Sequence, residues 1–134
     1  MANPDSCTEA QITEMVHRFY ARVRHDAVLG PIFNAHVEDW DTHLSTLVDF
    51  WSSTLRGIGR YRGSPMLKHV ALPEVTAELF DRWLALFNET TAAQSNQEMA
   101  RRAQMLAGRI AQSLWYGCQL SRQPKVMATR LGSE

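Results

Sequence analysis

Four runs of apolar residues at helical spacing constrain this chain more than any other feature. Ile12, Met15, Val16, Phe19, Tyr20 and Val23 recur three and four positions apart, so they share one face of a helix. The pattern Thr8-x-x-Gln11 is a capping box that starts this helix, and an end is expected near Arg24 to Asp26. "LGPIF" (29–33) then brings Gly30 and Pro31, read as a break that leaves Phe33 on a tight corner. "DWDTHLSTLVDFW" (39–51) makes the second long helix, with Asp39 or Asp41 as its cap and Gly57 past its end. Val75, Leu79, Phe80, Trp83, Leu86 and Phe87 mark the third. A second box, Ser95-x-x-Glu98, starts the fourth, carried by Met99, Ala103, Leu106, Ile110 and Leu114. Between the second and third, "GIGRYRGSPM" (57–66) is a loop, and Ser64-Pro65 starts a short helix, "PMLKHVAL", that Pro73 stops. Strand signals are nearly absent. The expectation is an all-α domain over residues 1–120, followed by a polar, aperiodic tail, 121–134, expected to be disordered.

The totals limit what such a domain can do. At 134 residues it buries about two-thirds of the surface its unfolded form exposes, so it needs no staples. Lys+Arg and Asp+Glu both number 14, which argues against nucleic acid or a membrane surface as partner. Cys7 and Cys118 have no CxxC spacing, so neither a zinc site nor a disulfide framework is indicated. Cys7 is expected at the surface and Cys118 as a small residue late in the last helix. The polar start of the chain and the lack of an apolar span point to a cytoplasmic protein, and no dimer seam is visible, so a monomer is expected.

Two histidines raise a sharper question. His43 stands in line with Leu47, Phe50 and Trp51 on the second helix, so its imidazole faces inward. It is either a half-buried structural histidine or a group that looks into a ligand cavity. His69 lies on the short helix, a segment of about eight residues that packing or a ligand must hold. One histidine rarely holds a free divalent ion, because zinc sites need three or four protein ligands. A porphyrin supplies four nitrogens of its own and leaves one axial place for a lone imidazole. Phe33, Phe50, Trp51, Phe80, Trp83 and Phe87 offer flat walls for such a group, and they would equally fill a plain helical core.

The segments "FYARVRHDAVLGPIF", "DWDTHLSTLVDFWSSTL", "YRGSPMLKHVAL" and "LFDRWLALF", in that order, resemble the group III truncated haemoglobins. The resemblance runs over residues 8–120. It implies a shortened globin fold, two antiparallel helix pairs crossed as a 2-over-2 sandwich around haem b. Residue by residue, it implies that His69 ligates the iron, and that Tyr20, His43 and Trp83 are the polar distal groups with Leu47 as their aliphatic wall. Phe33 matches a phenylalanine that packs on the porphyrin, and Phe50 and Trp51 match aromatics at its edge. Adjacent paired glycines, the hinges of other truncated groups, are missing, since Gly57 and Gly59 are not neighbours.

The function implied is binding of O₂, CO, NO, cyanide or peroxide at haem iron. Hydrogen bonds from Tyr20 and Trp83 would slow release of a bound ligand by about tenfold, at roughly 0.5–1.5 kcal/mol each. Nitric-oxide detoxification or another haem redox reaction would then need a separate reductase, because the chain carries no flavin or nicotinamide fingerprint. Whether it is an enzyme, a dioxygenase of NO or peroxidase-like, stays open at this point. Tyr61 and Lys68, with Arg60 and Arg62, lie near the short helix and would suit haem propionates or equally form a solvated basic loop. Arg101 and Arg102 are read as the exposed side of the last helix. Asp39, Asp41 and Asp49 read as caps and solvated positions and not as an acid/base pair. The rival reading is a cofactor-free helical interaction module; a ligand sensor is weakened by the lack of an output domain.

Overall fold

Thr8 accepts the backbone N–H of Gln11 at 3.1 Å, and the Gln11 side chain takes the N–H of Thr8 at 3.0 Å. This closed box starts α1, Glu9–His25, as expected from the sequence. In the computed structural model, residues 7–57, 59 and 76–122 are described, the side chains of 121 and 122 excepted. The short helix expected at 65–72 and the tail beyond 122 lie outside them.

Asp26 ends α1 and at once starts the next element, for its carboxylate accepts the N–H groups of Val28 at 3.0 Å and Leu29 at 2.8 Å. That element is a helix, α2, Leu29–His36, so the break expected at Gly30–Pro31 does not occur. Pro31 falls in the first turn, where backbone N–H groups have no intrahelical acceptor and a missing donor costs little. Gly30 is required there for a different reason. A Cβ on it would come within 2.6 Å of the Arg24 carbonyl oxygen, so its small size lets α2 fold back tightly against the end of α1.

Helix α3, Trp40–Arg56, is capped by Asp39, whose side chain accepts from the N–H groups of Asp41 and Thr42. Gly57 closes it with φ 76°, a left-handed conformation that suits glycine. Helix α4 spans Ala77–Ala92, with the Thr76 hydroxyl accepting the Leu79 N–H. Helix α5 spans Gln97–Arg122 and runs on past the point where its apolar period fades. Its start is also shifted from expectation. Asn96, not Ser95, accepts the N–H of Met99, at 3.0 Å, while its amide donates to Gln11 at 3.1 Å and ties the start of α5 to the start of α1.

The four long helices form two pairs. The start of α1 meets the end of α3 through Glu9, which accepts the Ser52 hydroxyl at 2.8 Å and pairs with Arg56. The end of α1 meets the start of α3 through Arg24 and Trp40. These two contacts make the pair antiparallel. Helices α4 and α5, joined by a short loop, form the second, also antiparallel: Thr91 near the end of α4 meets Gln104, and Phe80 near its start packs with Leu114 and Cys118. Helix α1 lies across α4, where Arg22 donates to Thr90 and pairs with Glu89. The result is the 2-over-2 arrangement expected from the resemblance.

The seam between the pairs is close-packed. Ile12, Met15, Val16, Phe19, Val23, Leu55, Phe87, Met99, Ala103 and Ala107 are all at most 1 % exposed. The alanines of α5 let the other helices approach closely. Cys7 corrects an expectation, since it is buried with this cluster. It immediately precedes the helix cap, where an apolar side chain commonly folds over the first turn toward the position of Ile12. Arg102 corrects another, because it is half-buried and its guanidinium donates to the Leu55 carbonyl at 3.3 Å, satisfying an end group of α3.

Candidate functional site

Helix α1 delivers Tyr20 into the interior at a point where α2, α3 and α4 converge. Its ring lies 4.7 Å from Phe19, 6.0 Å from Phe33, 6.2 Å from Trp40 and 6.0 Å from His43, centre to centre. Burial pushes the phenol far above the usual tyrosine range, and a hydrogen bond from Trp83 pulls it back only in part. The hydroxyl is therefore protonated at any ordinary pH. An indole nitrogen can only donate, so a bond between the two would run from the Trp83 N–H to the Tyr20 oxygen and would leave the phenol proton for another acceptor.

His43 stands near the start of α3, half-buried, with its ring edge-on to Tyr20 at 90° and edge-on to Trp40 at 5.5 Å and 87°. One turn further on, Leu47 follows, with Leu44, Val48 and Phe50 on neighbouring positions of α3. Phe33 from α2 and Leu79, Trp83 and Leu86 from α4 belong to the same set of half-buried apolar side chains packed on the core. These side chains are left partly exposed, while Tyr20 is buried. Their chemistry, apolar with one phenol nearby, is of the kind that suits a flat apolar ligand with a polar corner.

Trp51 and Phe80 occupy a different kind of place from these. Trp51 is 3 % exposed and stacks on Phe87 at 5.4 Å, which in turn stacks on Trp83 at 5.4 Å. Phe80 packs with Ala111, Leu114 and Cys118 and tilts against Trp115. Both are enclosed by protein: Trp51 meets Phe50 edge-on at 5.5 Å, and Phe80 belongs to a second cluster against α5. Tyr61, Lys68 and His69, with Arg60 and Arg62, lie outside the described residues. Among the described residues no three His, Cys, Asp or Glu side chains gather as a metal site. A metal held here would need donors from elsewhere in the chain or from a cofactor.

Trp40, to which the sequence reading assigned no role, stands beside His43 and is held by two further residues. Trp40 donates its indole N–H to Asn34 at 3.1 Å, and the Arg24 guanidinium lies 4.6 Å from the centre of its ring. The spacing of Trp40 to His43, three positions on one helix face, was the available signal. Asp39 is a cap: its carboxylate is held below the usual range chiefly by the Thr42 hydroxyl, so it is no proton donor near neutrality.

Comparison with known proteins agrees with this fold. The family described as bacterial-like globin matches residues 7–113. The group 3 truncated haemoglobin ctb of Campylobacter jejuni is 37 % identical over 122 residues, which cover 84 % of this chain and 96 % of that protein. The crystal structure of a group III truncated haemoglobin from Campylobacter jejuni superposes with a TM-score of 0.76 at 34 % identity, covering 84 % of this chain and 91 % of the other. No described helix is long and apolar enough to cross a membrane.

Proposed function

The chain belongs to the bacterial-like globins as a group III truncated haemoglobin, a haem-binding family, and on that basis we propose that it holds haem b with the His69 imidazole as iron ligand and binds small diatomic gases beside Tyr20. The observation that carries this reading is the set of half-buried apolar side chains, Phe33, Leu47, Phe50 and Trp83 among them, beside the buried Tyr20. Phe33, Leu47, Phe50 and Trp83 would hold the flat faces and keep water away, and Tyr61 and Lys68 would meet the acidic groups. Bound haem would supply a redox-active iron with one coordination place open to O₂, CO, NO, cyanide or peroxide.

The work of the chain is then to hold a proton in place. Tyr20 would present its O–H to a ligand, and an N–H from Trp83 would fix the direction of that O–H. Tyr20 is thus the direct donor, and Trp83 acts through it. A neutral hydrogen bond of this kind contributes roughly 0.5–1.5 kcal/mol, about a tenfold change in release rate at the upper end. A pocket that releases slowly suits chemistry on the ligand, such as nitric-oxide detoxification, better than transport. In that role the protein would work as a cytoplasmic monomer, with electrons supplied by a separate reductase.

Haem uptake followed by ligand kinetics tests the reading. Titration should saturate at one haem per chain with an intense Soret band. Tyr20→Phe should then speed O₂ dissociation by about tenfold, and Trp83→Phe by less. Dissociation unchanged in both variants would remove this account of the pocket.

A further inference from the structure

Exposure falls stepwise along a chain of contacts that leads from solvent to the Tyr20 ring. Arg24 and Asn34 are exposed, Trp40 and His43 are half-buried, and Tyr20 is buried. Trp40 is the joint of those contacts. It sits in the first turn of α3 and is held from two other helices, by the Arg24 guanidinium of α1 over its ring and by the Asn34 side-chain oxygen of α2 at its N–H. The same ring meets the His43 imidazole edge to face and tilts against Tyr20 at 49°. His43 therefore stands between two aromatic rings, and one of them is pinned from outside.

We propose that Trp40, latched by Arg24 and Asn34, is the positioning residue that keeps His43 closed over Tyr20 and so sets how fast small ligands reach the Tyr20 hydroxyl. The proposal rests on the ligand-binding reading above. For His43 to swing out it must give up its edge-to-face contacts with both rings. For Trp40 to follow it, the N–H bond and the cation–π contact must also break. Each contact is weak alone, a few-fold in the open population, but they act in series on one side chain. Removing the plate should therefore raise the open population by roughly tenfold, and removing either pin by roughly two- to fivefold.

Two readouts on the purified protein test this. The first is the rate at which diethyl pyrocarbonate modifies His43, followed by peptide mass mapping, with exposed His17, His25 and His36 as internal controls. Trp40→Ala should accelerate modification of His43 by roughly tenfold while the three controls stay unchanged, and Arg24→Gln and Asn34→Ala should fall between. Trp40→Phe keeps a ring in place and should restore most of the protection. The second readout is CO association after flash photolysis, which should follow the same ranking. The double variant Trp40→Ala/His43→Ala should bind CO no faster than His43→Ala, because the indole acts only through the imidazole. If Trp40→Ala unfolds, the two pin variants, both at exposed positions, carry the test. His43 modified at the wild-type rate in the variants, with CO association also unchanged, would overturn the latch. Failure to take up haem would instead overturn the functional reading on which it rests.

Discussion

Helices α1 and α3 run side by side, yet their two ends differ. Where the start of α1 meets the end of α3, Ile12 and Leu55 are fully buried and Met99 of α5 closes the space. The polar groups there are paired across helices, Ser52 and Arg56 on Glu9 and Arg102 on the Leu55 carbonyl. Where the end of α1 meets the start of α3, Phe33, Trp40, His43, Leu44 and Leu47 remain half-buried around Tyr20. The same apolar period thus has two outcomes: at one end it closes the fold, and at the other it leaves apolar side chains half-exposed. A close-packed end should answer to cavities, and a partly covered one to its ligand.

The largest effect should come from the closed end. Leu55→Ala removes a side chain that is 0 % exposed and should cost about 2–5 kcal/mol in denaturant unfolding, whether or not ligand is present. A loss below about 1 kcal/mol would mean that this end is looser than its burial indicates.

The open end is tethered by charge. Asp26 accepts two bonds from Arg82, at 2.8 and 2.9 Å, besides capping α2. The Arg82 guanidinium, with the Leu29 and Val28 N–H groups, holds its carboxyl down at about 2 from an ordinary 3.8. The native state therefore binds this proton more weakly than the unfolded chain. Its contribution is complete above about pH 4 and disappears as the pH falls toward 2. Asp26→Asn should cost about 1–2 kcal/mol near neutrality and flatten the acid-denaturation curve in that window. An unchanged curve would show that the corner is held by α2 packing alone.

A smaller loss is expected for Arg102→Ala, roughly 1 kcal/mol, since one hydrogen bond to a helix end is removed. Leu47→Ala should give the smallest change in the fold itself, under about 1 kcal/mol, because the side chain is already partly uncovered. Its effect should show instead as faster loss of haem from the loaded protein. If Leu47→Ala destabilised the protein as much as Leu55→Ala, the contrast between the two ends would fail.

The long helices were legible because a buried stripe at a 3.6-residue period repeats within one stretch of chain. The caps at Thr8 and Asp39 were legible for the same local reason. Helix α2 was misread because Pro31 breaks a helix only away from its first turn, and the Asp26 cap that sets that turn lies outside the "LGPIF" segment. Asn96 displaced Ser95 as a cap because its amide also reaches Gln11, a contact between distant parts of the chain. Cys7 and Arg102 were misplaced for a related reason, since their burial depends on neighbours that sequence spacing does not reveal. At the site, Tyr20, His43 and Trp83 were picked out singly. That Trp83 comes close to Tyr20, and that Arg24 and Asn34 pin Trp40, are contacts among separate helices, and periodicity along one helix carries no information about them.

The central claim is that one imidazole, that of His69, holds haem iron against this open end. It is tested most directly by the absorption spectrum of His69→Gly beside the wild type, with and without added imidazole. The wild type should show a strong Soret band, and the variant should lose it or regain it only with free imidazole. A variant whose spectrum matches the wild type without imidazole would contradict the claim.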